Sequence, residues 1–122
     1  MKIAVVDDDD GVRRAIENYL QFEGHDVRTF PDGHPFLVSD CPEWLDLLLT
    51  DISMPTTGEI VIRTVRRNRP DAAIVAMTGS YQHEKLMYLL VLGADAVLRK
   101  PLNFDTLNKD LLDFHRKRAS HD

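Results

Sequence analysis

Short apolar segments that alternate with amphipathic ones predict an α/β protein built on a parallel sheet covered on both faces. Three observations carry this expectation. Residues 2–6 and 47–49 are apolar without polar alternation, as expected of strands buried on both sides. Between the apolar runs, side chains recur at helical spacing, most clearly Val12, Ala15, Ile16, Tyr19 and Leu20. Gly24, Pro31-Asp32-Gly33 and Gly93 fall between the segments as turn and stop signals.

In chain order, residues 2–6 form the first predicted strand and end on four aspartates, Asp7 to Asp10. Residues 11–23 form an amphipathic helix stopped by Gly24, and residues 27–30 a brief strand. Pro35 suits the first turn of a short second helix running to about residue 39, and Pro42 forbids a long one. Residues 45–50 are the third strand and residues 58–67 the third helix, with Val61, Ile62 and Val65 facing inward. Arg69-Pro70-Asp71 is a loop, and residues 72–77 a strand ending on Thr78-Gly79-Ser80. A fourth helix over residues 81–92, a last strand over 96–99 closing on Lys100-Pro101, and a helix over 104–117 complete five strand–helix pairs. No repeat or linker interrupts them, so all 122 residues read as one domain.

Composition narrows the function. With 43% hydrophobic and 29% charged residues, the chain is of ordinary globular make-up and not of the disordered class. A net charge of -5 argues against binding nucleic acid across the domain. The basic cluster His115-Arg116-Lys117-Arg118 reads as a solvated helix terminus. Cys41 is alone, which excludes an internal disulfide and fits a reducing compartment. With no run long enough to span a membrane, and a strand beginning at residue 2 where a signal peptide would lie, the expected location is the cytoplasm. The five histidines are scattered without metal-ligand spacing and read as surface residues.

The chemistry collects at strand ends. Asp7 and Asp8 follow the first strand, Asp51 the third, Thr78 the fourth and Lys100 the fifth, and in a parallel sheet these ends share the edge where ligands bind. Asp51, between Leu47-Leu48-Leu49-Thr50 and the Met54-Pro55 turn, is the candidate reactive residue, although an aspartate there can also serve as a plain turn residue. Three carboxylates gathered at one edge repel one another unless a cation intervenes. Oxygen ligands favour Mg2+ over zinc, and no carboxylate-rich loop suits calcium. Lys100 and the Thr78 hydroxyl would clamp an anion. A metal, an ammonium and a hydroxyl around one carboxylate suit in-line phosphoryl transfer, with Asp51 as nucleophile.

These residues resemble the response regulator receiver domains of two-component phosphorelay signalling, of the chemotaxis-regulator type. The resemblance rests on Val5-Val6-Asp7-Asp8, Thr50-Asp51-Ile52-Ser53-Met54-Pro55, Ala76-Met77-Thr78-Gly79 and the Gly93-to-Pro101 stretch, in that order. It implies a flavodoxin-like (βα)5 fold with strand order 2-1-3-4-5. It also implies Asp51 as phosphoacceptor, Asp8 as a direct Mg2+ ligand, Asp7 as a ligand through water, the Ser53 backbone carbonyl as a further ligand, and Thr78 and Lys100 on the phosphoryl group. The implied donor is a phosphohistidine on a sensor histidine kinase or histidine phosphotransfer protein. The domain would catalyse its own phosphorylation and dephosphorylation without being a conventional turnover enzyme.

Three places depart from the family pattern. Only Thr56-Thr57 separate Pro55 from Gly58, one residue fewer than usual. Val97 stands where receivers usually carry the Tyr or Phe that reports phosphorylation, and a stiff valine has no ring to swing. In the fourth helix, if Leu86, Leu89 and Leu90 face the sheet, then Met87, Tyr88, Val91 and Leu92 point outward. Such an apolar patch predicts a homodimer or effector interface shared with the fifth strand and helix. Two rival readings stand beside the receiver. Asp8-Asp9-Asp10-Gly11-Val12 also fits the nucleophile motif of haloacid dehalogenase-like phosphatases, with Asp8 attacking. A receiver-like module that binds partners without phosphorylation is the other.

Overall fold

The computed structural model of the protein describes residues 1–79 and 82–120. Five parallel strands, β1 (Lys2–Val6), β2 (Asp26–Phe30), β3 (Leu47–Asp51), β4 (Ala73–Thr78) and β5 (Ala96–Arg99), form one sheet of order β2-β1-β3-β4-β5. This is the flavodoxin-like order expected from the sequence. The helices are α1 (Asp10–Phe22), α2 (Gly33–Leu37), α3 (Cys41–Trp44), α4 (Gly58–Asn68), α5 (His83–Leu92) and α6 (Leu107–Ala119).

The strands read as continuous apolar runs because successive residues bury into opposite layers. Ala4, Val6, Leu48, Ile74 and Ala76 pack with Phe36, Ile62 and Leu89 on the side of α2, α4 and α5. Ile3, Val5, Leu47, Leu49 and Val75 pack with Ile16, Leu20 and Leu111 under α1 and α6. At roughly 1.5–3 kcal/mol per fully buried large aliphatic side chain, these two layers are the main source of stability.

Where the elements differ from expectation, local chemistry accounts for it. Helix α1 starts at Asp10 because Asp9 takes the N-cap, its Oδ1 accepting the Val12 amide at 3.0 Å. A separate helical turn, α3, carries Pro42 in its first turn, a position that spares the missing amide. The third strand begins two residues later than expected, since Leu45 caps α3. Helix α6 begins at Leu107 because the Asn103 side chain accepts the Asp105 amide at 3.0 Å and holds a turn. The expected start of the fourth helix at residue 81 lies outside the described residues, and α5 is described from His83.

The facing of α5 needs a correction. Its buried stripe is centred on Leu89, and Leu92, three positions on, packs against the core instead of pointing outward. Leu90, expected inward, is 39% exposed, beside Met87, Tyr88 and Val91, of which Val91 is the most open at 80%. A helix apolar on every side gives no pattern by which to choose between faces rotated by half a turn or less. No helix among the described residues is long and apolar enough to cross a membrane.

Candidate functional site

Strand register builds the site. Val6 pairs with Thr50, which sets Asp7 beside Asp51; Asp51 pairs with Met77, which sets Thr78 one step beyond; Thr78 pairs with Arg99, which brings Lys100 to the same edge. Oxygens of Asp7, Asp8 and Asp51 lie within 4.8 Å of one another. Asp7 is fully buried and Asp51 nearly so, whereas Asp8 is exposed.

Fixed donors hold the two buried carboxylates. Asp7 Oδ1 accepts the Asp9 amide at 2.9 Å, and Asp51 Oδ1 accepts the Ile52 amide at 2.8 Å. Lys100 Nζ bridges them, 2.8 Å from Asp7 Oδ2 and 3.3 Å from Asp51 Oδ2. The lysine expected to face only an incoming anion therefore also neutralises the acidic cluster from across 93 positions of chain. Arg13 adds a second cation nearby, donating to the Asp7 carbonyl at 2.7 Å and pairing with Asp10.

Burial pushes the Asp51 carboxyl above its usual range, the Asp7 charge adds to this, and Lys100 opposes both. Burial alone would lower the Lys100 ammonium, but the hydrogen bond to Asp7 and the charges of Asp51 and Asp7 outweigh it and raise it. Cys41, remote from the site and buried, has its thiol pushed up to about 11 and is poorly suited to thiolate chemistry.

The loop after Asp51 folds back tightly. The Gly58 amide donates to the Ile52 carbonyl at 3.1 Å, and a Cβ at Gly58 would lie 2.3 Å from the Asp51 carbonyl oxygen. Only glycine fits that approach. Ile52 and Met54 are buried and anchor the loop, while Ser53 is exposed between them. Ser53 and Thr78 line an open groove crossed by a Lys85–Glu59 ion pair that joins α5 to α4.

All three clustered ligands are carboxylate oxygens, with neither histidine nor cysteine in the group. That donor set fits Mg2+ and does not favour zinc. Of the expected site residues, Asp7, Asp8, Asp51 and Lys100 converge at one edge, and Thr78, buried at the end of β4, lies beside them in register. Val97 is partly buried against the layer under α5. Sequence reasoning missed the Lys100–Asp7 contact and a pairing of Asp32 with Thr56, both of which join residues far apart in the chain. In the haloacid dehalogenase-like motif the second carboxylate would be Asp10, which here opens α1 and pairs with Arg13 at 2.6 Å.

Comparisons with known proteins agree with this geometry. Residues 3–112 match the response regulator receiver domain. Chemotaxis response regulator CheY4 of Vibrio cholerae superposes with a TM-score of 0.85 at 30% identity, covering 93% of this chain and 97% of that one. A CheY-like receiver domain protein of Methanospirillum hungatei gives 0.90 at 26% identity, covering 99% and 98%. Response regulator SaeR of Staphylococcus aureus is 28% identical over 102 residues, which are 83% of this chain and 44% of SaeR. The chain belongs to the response regulator receiver domain family and is a receiver of two-component signalling. It spans less than half the length of the curated relatives it matches. Receiver domains bind Mg2+ at an acidic site, and Asp7, Asp8 and Asp51 are the cluster this chain offers for it.

Proposed function

We propose that Asp51 is the phosphoacceptor, taking a phosphoryl group from a phosphohistidine on a sensor histidine kinase or histidine phosphotransfer protein. The observation that carries this reading is the convergence of three carboxylates with one bridging ammonium at the carboxyl edge of the sheet. A carboxylate oxygen of Asp51 attacks phosphorus in line as the bond to the donor imidazole nitrogen breaks. The electron pair stays on that nitrogen, which takes up a proton, and an acyl phosphate forms on Asp51. Lys100 moves its hydrogen bonding from Asp51 to the transferred group, and the Thr78 hydroxyl donates to a second phosphoryl oxygen. Asp8, Asp51 and the Ser53 carbonyl, with Asp7 acting through water, would hold Mg2+, which would supply the remaining charge neutralisation. Water later attacks the acyl phosphate, releasing phosphate and restoring Asp51.

Mass spectrometry of the protein after incubation with acetyl phosphate and Mg2+ tests this. A phosphoryl adduct absent from Asp51→Asn is expected. An adduct lost only in Asp8→Asn would point to the phosphatase chemistry, and no adduct in any form would leave a phosphorylation-independent binding module.

Output runs through the face of α5, β5 and α6, where Met87, Tyr88, Leu90 and Val91 form an exposed apolar patch. This patch is a homodimer or effector surface, and Val97 transmits the change at the site by packing instead of by ring rotation. Light scattering of wild type and of Tyr88→Glu/Val91→Glu, with and without beryllofluoride, checks it. The dimer version expects a mass increase in the loaded wild type that the double variant lacks, and an unchanged monomer throughout removes that version. No role for nucleic acid or membrane is assigned to the domain, and the cytoplasm remains the proposed location.

A further inference from the structure

The short loop of residues 52–57 is moored from outside its own ends. Thr56 donates twice to Asp32, its amide to Oδ1 at 2.8 Å and its hydroxyl to Oδ2 at 2.9 Å. Asp32 lies 24 positions earlier in the turn between β2 and α2. It occupies the N-cap position of α2, and both of its carboxylate oxygens are engaged by the loop. Gly33 allows the approach: a Cβ there would stand 2.5 Å from Val61 Cγ2 and 3.0 Å from Thr56 Cγ2. The turn after β2 and the loop after β3 are thus seated on each other by a charge-assisted pair of hydrogen bonds and by an absent side chain.

We propose that Asp32 is a positioning residue for the phosphoryl-transfer site: by gripping Thr56 it holds the shortened loop so that the Ser53 carbonyl stands ready for Mg2+. This rests on the reading of Asp51, Asp8 and Ser53 given above. A loop that is already ordered does not have to be immobilised when the cation arrives, so the grip appears as affinity. Ser53 is exposed, with Ile52 and Met54 anchored in the core on either side, so Thr56 is the point at which the outer half of the loop is held.

The test measures the Mg2+ dissociation constant from the Mg2+-dependent rise in Tm, together with amide hydrogen exchange, for the wild type, Asp32→Ala, Thr56→Val, Thr56→Ser and the Asp32→Ala/Thr56→Val double variant. Asp32→Ala is expected to weaken Mg2+ binding by roughly three- to ten-fold. Exchange should speed up at residues 52–57 and stay unchanged in α1 and α6. Thr56→Val, which keeps the net charge, separates the tether from a simple loss of acidity and should weaken binding in the same direction. Thr56→Ser retains both donors and should bind as wild type does. The double variant should be no weaker than Asp32→Ala, because the two residues act as one unit. Wild-type Mg2+ affinity in both Asp32→Ala and Thr56→Val would overturn the tether while leaving the site reading intact. A wild type whose Tm does not respond to Mg2+ would overturn the site reading and the tether together.

Discussion

The two ends of the sheet handle buried acid in opposite ways. At the amino end, Asp95 is enclosed by donors: Arg66 at 2.9 Å and the Ile74 amide at 2.8 Å on one oxygen, and Arg118 at 2.8 Å on the other. Arg66 also donates to the carbonyls of Gly93, Arg69, Pro70 and Ala72, so one partly buried cluster ties α4, β4, the start of β5 and α6 together. At the carboxyl end, Asp7, Asp8 and Asp51 cluster, and Lys100 bridges Asp7 and Asp51. Cations outnumber the carboxylate at one end and carboxylates outnumber the cation at the other. A saturated cluster has nothing left to bind and serves the fold, whereas an acidic excess costs stability and is suited to receiving a cation.

The largest effect of breaking this contrast is expected at the amino end. Asp95→Ala leaves Arg66 and Arg118 facing each other without their acceptor and should cost about 3 kcal/mol in urea denaturation. A loss below about 0.5 kcal/mol would mean that solvent already satisfies the cluster.

At the carboxyl end the sign reverses. Asp51 has a folded-state pKa raised above the usual 3.8, so its contribution to stability is fully present below that value and is lost as pH rises through the folded one. Without Mg2+, Asp51→Asn should therefore gain about 1 kcal/mol at neutral pH and lack the wild type's decline across that window. Parallel denaturation curves from acid to neutral pH check this, and a variant that loses stability at neutral pH would show that the Lys100 bridge outweighs the burial and repulsion.

The smallest metal-free effect belongs to Asp8, because its exposed carboxylate is already solvated. Asp8→Asn should shift stability without Mg2+ by no more than about 0.5 kcal/mol, yet should reduce the gain from Mg2+, which for the wild type is about 2.7 kcal/mol at a hundred times its dissociation constant. Thermal melts with and without Mg2+ separate the two numbers. An undiminished gain in Asp8→Asn would take that residue out of the metal site.

Much of the fold and of the candidate site is legible in the amino-acid sequence. Strand positions follow from apolar runs such as Ile3-Ala4-Val5-Val6 and Leu47-Leu48-Leu49, whose burial on both faces needs no partner to be recognised. Once those strands are parallel, the residues that close them fall on one edge, and Asp7, Asp8, Asp51, Thr78 and Lys100 are brought together by connectivity alone. Capping follows local chemistry, with Asp9 directly ahead of the first turn of α1 accepting the Val12 amide. Helix α5 was not readable in the same way, because Leu86, Leu89, Leu90 and Leu92 are alike in hydrophobicity and differ only in what lies opposite them.

Local periodicity and chain order are enough to give the alternation of elements, the order of the strand ends and the types of residue placed there. Tertiary structure alone decided which carboxylates are buried, that Lys100 bridges Asp7 and Asp51, that Leu90 and not Leu92 faces solvent, and that Asp32 reaches Thr56. Those are contacts between residues 24 to 93 positions apart. No local pattern encodes them, because burial and pairing are properties of the neighbour that packing supplies.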